Sequence, residues 1–176
     1  LSGSNNPLSL NINRSLVAKA VFAQTSPGSL AEAVDATNLT WTTGGDASWF
    51  GQTAITHDGV AAAQSGSISD PNQVSWIRTT VTGPGPLTFW WNSGPGYCCA
   101  DLEFSIDDIV QTNSASGVWE QQMFSILTGT HVLQWMYTNS PSGGDPRNVA
   151  WLDQVSFGSG VPTLTTLPVS KTVLQG

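Results

Sequence analysis

The sequence predicts an all-β sandwich, on three observations. Several segments between residues 74 and 157 alternate apolar and polar residues with a period of two, which is the spacing of a β-strand with one buried face. Clusters of Gly, Pro, Ser and Asp separate these segments, as turns separate short strands. No stretch of useful length has the 3.6-residue period of an amphipathic helix.

The predicted strands are residues 74–81, 87–92, 102–107, 119–126, 131–138 and 150–157. Their alternation predicts an inward face that is apolar except for one aspartate: Leu87, Phe89, Trp91, Leu102, Phe104, Ile106, Leu133, Trp135, Tyr137, Trp151, Asp153, Val155 and Phe157. The opposite face then carries Thr88, Trp90, Glu103, Ser105, Gln134 and Met136. We expect Trp90 to be either an open platform for a sugar ring or covered by a loop.

Composition divides the chain into three parts. Residues 30–158 form the predicted sandwich, which has the size of one domain. Residues 1–29 hold alternating strands and a linker, and residues 159–176 hold a second linker and one strand. The chain starts at Leu1, is rich in Trp and poor in Lys, and has no apolar run of the roughly 18 residues that a membrane span needs. We therefore expect a monomeric piece of a longer secreted or cell-surface protein.

The charge of the chain limits its partners. All 12 acidic residues lie between Glu32 and Asp153, where the fixed cations are Arg78 and Arg147, so this stretch has a formal charge of −10. Such a surface repels phosphate backbones and anionic lipids, which argues against nucleic acid and membrane partners. Polyanionic glycans are disfavoured for the same reason, unless a metal ion intervenes. A neutral ligand, or calcium held by carboxylates, fits this charge better.

Strand direction predicts where binding residues gather. If consecutive strands are antiparallel, the connections 93–100, 112–118 and 139–149 emerge at one end, while turns at 107–108 and 128–130 close the other. Long loops at one end of a rigid sandwich are a common place for binding residues. Here they bring an aromatic ring together with the hydrogen-bonding groups that a sugar needs: Tyr97, Cys98, Cys99, Asp101, Asn113, Asp145, Arg147 and Asn148.

Cys98 and Cys99 are the only cysteines of the chain, and they are adjacent. A disulfide between neighbours closes almost no loop, so it adds little to stability through chain entropy. In an oxidising compartment the pair can instead form a rigid vicinal disulfide ring, which would lie beside Tyr97 as an apolar platform for one sugar face. The alternative is two reduced thiols, one packed inward and one facing solvent. The sequence leaves both open.

Five blocks of the chain carry a resemblance to known modules: residues 39–52, 57–66, 81–91, 129–135 and 151–157. They include the motifs Thr-Trp-Thr-Thr-Gly-Gly-Asp, His-Asp-Gly-Val-Ala-Ala-Ala, Leu-Thr-Phe-Trp-Trp and Trp-Leu-Asp-Gln-Val-Ser-Phe. In this order they resemble the jelly-roll β-sandwich modules of large bacterial extracellular proteins, which are related in pattern to carbohydrate-binding modules and MAM adhesion domains.

The resemblance is weaker outside these blocks. The Gly-Pro-Gly-Tyr-Cys-Cys segment replaces the plain polar loop that the family pattern has before residue 102. Residues 1–23 resemble the closing strands of a divergent B-repeat, and residues 163–176 resemble the first strand of a bacterial immunoglobulin-like domain.

The resemblance implies a non-catalytic carbohydrate-binding module with a jelly-roll β-sandwich fold. Such a module targets a secreted bacterial multidomain enzyme to a polysaccharide, which the charge of this chain predicts to be neutral. The alternative is a protein-binding or spacer module of a bacterial surface adhesin, because MAM-like sandwiches also mediate adhesion.

The resemblance also implies one structural calcium ion. Asp58 and Asp153 resemble positions where jelly-roll modules hold calcium near the two chain ends, and Asp35 takes the acidic position early in the module. The alternatives are a turn cap for Asp58 and an inward hydrogen bond for Asp153, which needs a partner among apolar neighbours.

Catalysis is not expected. Glycosidases need two carboxylates about 5–10 Å apart across a cleft. No spacing singles out a pair among the available acids, which are Asp101, Glu103, Glu120 and Asp145. His57 and His131 lie far apart in the sequence and form no metal-binding motif. A hydrogen bond at the Gly-Thr turn is the expected role of His131.

Overall fold

The computed structural model describes residues 28–94, 100–139 and 149–158. Within these residues, all strand pairs are antiparallel and one short helix precedes them. The elements are α1 (Leu30–Ala33), β1 (Trp41–Gly45), β2 (Phe50–Gln52), β3 (Ala62–Gln64), β4 (Val74–Asn92), β5 (Ala100–Ile106), β6 (Ile109–Ser114), β7 (Glu120–Asn139) and β8 (Trp151–Phe157). In the described part of the chain, no helix is both long enough and apolar enough to cross a membrane.

The two long strands β4 and β7 form a ribbon that folds back on itself. They pair with each other along their length, with a register shift between Gly83 and Gly85. A Cβ atom at position 83 would overlap the carbonyl oxygen of Leu127, so the close approach of the strands at the bend requires glycine. The bend places the two halves of each strand in different layers of the sandwich.

The pairing of the strands defines the two layers. The first layer contains β1, residues 74–83 of β4, residues 129–139 of β7, β5 and β6. The second layer contains β2, β3, β8, residues 85–92 of β4 and residues 120–126 of β7. This arrangement confirms the predicted all-β, jelly-roll β-sandwich fold.

An aromatic core fills the space between the layers. Phe89 of the second layer lies with its ring centroid 5.1 Å from that of Trp135 and 5.0 Å from that of Phe104, both in the first layer. All three side chains are fully buried. Large aromatic rings contribute most of the apolar area that such a core removes from water. The predicted inward faces of these strands are therefore confirmed.

Two pairs of predicted strands are continuous in the structure. Residues 74–81 and 87–92 belong to β4, and residues 119–126 and 131–138 belong to β7. The glycines and prolines between them mark the bend of a continuous ribbon rather than the ends of strands. The predicted turn at 128–130 is therefore wrong.

The predicted turn at 107–108 is confirmed as the two-residue hairpin between β5 and β6. Asp107 and Asp108 have φ angles of 51° and 63°. Two consecutive residues at positive φ match the right-handed twist of the flanking strands.

One strand does not alternate as predicted. In β8, Leu152 and Val155 belong to the core cluster, whereas Trp151 and Asp153 are buried outside it. Gln154 has a φ of 50°, and the β4–β8 register shifts beside it. A bulge adds one residue to the strand and so changes the face on which the neighbouring side chains lie. The prediction that Trp151 and Asp153 point into the core is therefore wrong.

The strand ends that flank the three predicted loops lie together, opposite the bend. Ala100 pairs with Asn139, and Asn92 pairs with Trp151. The hydroxyl of Ser114, at the end of β6, donates to Glu120 Oε2 (2.8 Å) at the start of β7. We call this side of the sandwich the loop end, and its position agrees with the strand-direction argument.

Candidate functional site

Three aspartates from distant parts of the chain meet beside β8. Asp35 follows α1, Asp58 lies between β2 and β3, and Asp153 lies in β8. The backbone nitrogen of Val155 donates to the carbonyl oxygen of Val34 (2.8 Å), which holds the end of α1 on β8. One carboxylate oxygen of each aspartate lies within 4.8 Å of the others. We call these three residues the acidic cluster, and they are the three that the sequence singled out.

Asp153 is the buried member of the cluster, with 0% of its surface exposed. Its Oδ2 accepts hydrogen bonds from the backbone nitrogens of His57 (2.7 Å) and Asp58 (3.4 Å). Its Oδ1 is buried and has no hydrogen-bond partner among the described residues. Burial raises the pKa of the Asp153 carboxyl group. Asp153 therefore has the hydrogen-bond partner that a buried aspartate needs, but the bond is made to the loop at His57 and Asp58 outside the core, and it satisfies only one of the two oxygens.

The other two carboxylates lie at the surface. Asp58 Oδ1 accepts a hydrogen bond from the backbone nitrogen of Val60 (2.7 Å), so Asp58 also caps its turn. Desolvation raises the pKa of Asp35, and the negative charge of Asp58 raises it further. Three carboxylates so close together repel one another, and an all-oxygen donor set suits a hard cation. The cluster therefore has donor atoms of the kind that calcium prefers.

The loop that carries Asp58 also covers Trp90. The imidazole of His57 stacks on the Trp90 ring, and the ring of Trp119 meets the imidazole edge-on, with centroids 5.7 Å apart. His57 Nδ1 lies 2.6 Å from Gln154 Oε1. Of the two alternatives for Trp90, the structure has the covering loop, with the imidazole of His57 on the indole. A contact between Trp90 and a ligand stays a prediction.

A groove of about 500 Å³ opens on the outer face of the first layer. Thr79 Oγ1 donates to the carbonyl oxygen of Thr40 (2.9 Å), which holds the segment before β1 against β4. The groove is lined by hydroxyl, amide, guanidinium and aliphatic groups: Asn38, Leu39, Thr40, Thr42, Arg78, Thr79, Thr80 and Val132. We call it the Arg78 groove.

Arg78 is held in this groove by the neighbouring tryptophan. Its guanidinium carbon lies 3.7 Å from the centroid of the Trp76 ring. Trp76 crosses β1 at Gly44, where a Cβ atom would overlap the indole. Arg78 Nε is buried and has no hydrogen-bond partner among the described residues. No described carboxylate forms an ion pair with the Arg78 side chain. Arg78 is also the only Lys or Arg in residues 28–94, 100–139 and 149–158.

Two of the predicted loop-end residues fall within the described part of the chain. Asp101 pairs with Thr138, and Asn113 pairs with Glu103. Asp101 and Asn113 are exposed on the outer face of the first layer, which is also the face of the Arg78 groove. The remaining predicted residues lie outside the described part of the chain: Tyr97, Cys98, Cys99, Asp145, Arg147 and Asn148.

Sequence reasoning missed the Arg78 groove, although a signal was present. Ile77 and Thr79 are buried, so the period of two places Trp76 and Arg78 together on the opposite face of β4. The same alternation located Trp90. The alternation does not show that the segment before β1 packs beside Arg78, where it forms the second wall of the groove.

The second histidine lies at the hairpin between β5 and β6. His131 Nδ1 is 2.7 Å from Asp107 Oδ2. This hydrogen bond lies at the β5–β6 hairpin, which is a different turn from the Gly-Thr turn at which the sequence predicted it. This hydrogen bond lowers the pKa of Asp107 and raises the pKa of His131.

No protein-family model matches the chain, and no curated protein sequence matches it significantly. Solved structures do resemble it. Part of the secreted serine protease VesC from Vibrio cholerae superposes with a TM-score of 0.56 at 15% identity, over 69% of this chain and 25% of VesC. This chain thus spans a quarter of VesC.

Two further structures resemble the chain. The K3 cleaved adhesin domain of Lys-gingipain from Porphyromonas gingivalis w83 has a TM-score of 0.51 at 16% identity, over 68% of this chain and 91% of that domain. The CBM22-1 xylan-binding domain of Paenibacillus barcinonensis Xyn10C has a TM-score of 0.47 at 16% identity, over 80% of this chain and 96% of that domain. At these identities the likeness concerns the fold.

Proposed function

We propose that residues 30–158 bind a polysaccharide without catalysing a reaction, and that they target a secreted or surface-attached bacterial enzyme to it. The Arg78 groove is the observation that supports this function best. It offers threonine hydroxyls, one amide and one guanidinium beside aliphatic side chains. Sugars present hydroxyl edges and apolar ring faces, so a ligand site with this mixture of groups suits them.

The net charge of the chain supports a polysaccharide with a mainly neutral backbone. The formal charge is −7 at pH 7. A polyanion would meet this charge along its whole length, whereas a neutral chain meets no net repulsion.

The likeness to VesC supports attachment to a secreted enzyme, because VesC is a secreted serine protease and the part of it that resembles this chain is 25% of its length. The likeness to the K3 domain supports the second candidate function, a protein-binding or spacer module of an adhesin, because K3 is described as an adhesin domain. Both functions are extracellular. Only the first requires that a polysaccharide occupies the groove.

We also propose that the acidic cluster holds one structural calcium ion. The buried and unpaired Oδ1 of Asp153 supports this proposal, together with the approach of two further carboxylates. A bound calcium ion would neutralise the repulsion and join α1, the loop at Asp58 and β8. Its role here is structural because it fastens elements rather than contacts the groove.

The loop end remains a second proposed contact for the same polysaccharide. Tyr97 and a Cys98–Cys99 vicinal disulfide would supply an apolar platform, and Asp101 and Asn113 lie on the adjoining sheet face. Loop-end residues and the groove would then contact different sugars of one chain.

Affinity electrophoresis tests the proposed function. The chain is run in native gels that contain plant, algal or fungal polysaccharides, with a gel lacking polysaccharide as the control. Retardation by at least one polysaccharide supports a carbohydrate-binding module. No retardation across the panel would favour the adhesin, and turnover of any glycan would contradict a non-catalytic role.

A further inference from the structure

We infer that the Arg78 groove selects a sugar residue bearing one carboxylate, within a polysaccharide that is otherwise neutral. This inference rests on the proposed polysaccharide-binding function and adds the chemical class of the sugar. The candidate ligand is a uronic acid, or another sugar acid, that is carried as a side group or a chain end.

The first argument concerns charge. Arg78 is the only fixed cation among the described residues, and none of their carboxylates pairs with it. Its Nε is removed from water without a partner in the protein. The guanidinium has further N–H donors besides Nε, and a carboxylate in the groove can accept from them through charge-assisted hydrogen bonds, which are stronger than bonds to a neutral hydroxyl group. The site therefore favours an anion over a neutral hydroxyl group.

The second argument concerns the fixed position of the guanidinium. One face of it lies on the Trp76 ring, at 3.7 Å from the centroid. Trp76 is in turn placed by Gly44, whose missing side chain leaves room for the indole. A guanidinium held in this way has already lost part of its freedom, and its planar fork matches the two oxygens of a carboxylate.

The third argument concerns the other walls of the groove. Thr42 lies opposite Arg78 in the pairing of β1 with β4, and both Thr42 and Thr80 are exposed. Their hydroxyls, with the Asn38 amide, can bond the ring hydroxyls of the same sugar. Leu39 and Val132 are apolar and offer no second cation. The groove therefore suits one carboxylate per bound segment.

The net charge of the chain also limits the ligand to one carboxylate per bound segment. A polyuronate would bring many carboxylates to a protein with a formal charge of −7. At physiological ionic strength the screening length is about 8 Å, so a single carboxylate at Arg78 is shielded from the more distant acids, whereas a run of carboxylates is not.

The test compares matched ligands on four proteins. Each polysaccharide of the panel is used in three forms: native, partly oxidised at C6 to carboxylates, and oxidised then reduced back to hydroxyls. The proteins are the parent chain, Arg78→Gln, Arg78→Lys and Gln121→Glu. Gln121 is exposed in the second layer, and its substitution changes the net charge by the same amount as Arg78→Gln. Thermal melts first establish that the variants are folded.

We expect oxidation to strengthen binding to the parent about tenfold, which corresponds to one charge-assisted hydrogen-bonded pair. Back-reduction should abolish this gain. Arg78→Gln should lose it, Arg78→Lys should keep a part of it, and Gln121→Glu should keep all of it. The gain should also shrink as NaCl is raised, since it arises from charge.

The outcomes separate this inference from the proposed function. If the parent binds native and oxidised polysaccharide equally well, or if Arg78→Gln keeps the full gain, the carboxylate inference is overturned while the proposed function stands. If no form of any polysaccharide is bound, the proposed function fails, and the inference fails with it.

Discussion

The imidazole of His57 lies nearly parallel to the indole of Trp90, with ring centroids 3.8 Å apart and an angle of 15° between the planes. The backbone nitrogen of His57 also donates to Asp153, which pairs with Trp90 across β4 and β8. The loop between β2 and β3 is thus fastened twice to the second layer, beside the acidic cluster. A cation in the cluster would fasten it a third time.

Removing the His57 ring should loosen this loop. We expect His57→Ala to lower the free energy of unfolding by about 1 kcal/mol, since aromatic pairs contribute roughly this much beyond area burial. His57→Phe is the matched control because it keeps a stacking ring while losing the contact to Gln154. Urea unfolding measures both. A His57→Ala variant as stable as the parent would show that the stack contributes nothing.

Calcium should stabilise the parent chain. A ligand that binds only the native state at one hundred times its Kd adds about 2.7 kcal/mol to the free energy of unfolding. We expect a higher melting temperature in calcium than in chelator. Asp153→Asn should abolish this difference and should not destabilise the chain in chelator, because it removes an unpaired buried charge.

Asp108→Asn is the matched control for this experiment. Asp108 is exposed in the β5–β6 hairpin at a φ of 63°, a conformation that asparagine adopts readily. It removes one negative charge outside the acidic cluster, so its calcium response should equal that of the parent. A calcium-independent melting temperature of the parent, with no calcium found by elemental analysis, would rule the site out.

The Asp107–His131 pair should make stability depend on pH. The pKa of His131 is raised, so its contribution is complete below the unfolded value of 6.5 and is lost as the pH rises through the folded pKa. The pKa of Asp107 is lowered, so its contribution is present above 3.8 and is lost as the pH falls through the folded pKa. The pair therefore stabilises most between about pH 4 and 6.5.

Urea unfolding from pH 4 to pH 9 checks this prediction. The difference in stability between the parent and His131→Gln should be largest near pH 5 to 6 and should shrink above the raised pKa of His131. Asp107→Asn should give the same profile, since asparagine tolerates the φ of 51° and can still accept from the backbone nitrogen of Val132. A difference that does not change with pH would mean that the pair is not charged in the folded state.

The adjacent cysteines are predicted to form a vicinal disulfide in the secreted protein. The unreduced peptide that contains Cys98 and Cys99 should then be about 2 Da lighter than its reduced form, because two hydrogens are lost on oxidation. Blocking free thiols before digestion prevents exchange. If both cysteines are alkylated without prior reduction, they are thiols and the proposed platform does not exist.

The sequence predicts the positions of the strands because burial imposes a period of two on residues such as Leu133, Trp135 and Tyr137. It does not predict their continuity, because a glycine in a bend and a glycine in a turn look alike without the partner strand. The bulge at Gln154 is hidden for a similar reason. One residue at positive φ reverses the faces of β8, and no local pattern marks it.

Of the two candidate sites, the sequence predicts one and not the other. The acidic cluster was anticipated because Asp35, Asp58 and Asp153 occupy positions recognisable from the resemblance to jelly-roll modules. The Arg78 groove was not anticipated, because Thr40 and Arg78 are brought together by the packing of the segment before β1 on β4. A contact between segments so far apart in the chain produces no residue spacing that the sequence would reveal.

The most direct test of the central claim is an NMR titration of the isotope-labelled chain with an oligosaccharide of a polysaccharide that retards it. We predict that the largest amide shifts fall on the walls of the Arg78 groove, at Thr40, Thr42, Arg78 and Thr80. Smaller shifts at Asp101 and Asn113 would agree with a ligand that extends toward the loop end. Shifts confined to Ser93, Gly94 and Val149, with none in the groove, would contradict the claim that the outer face of the first layer binds the polysaccharide.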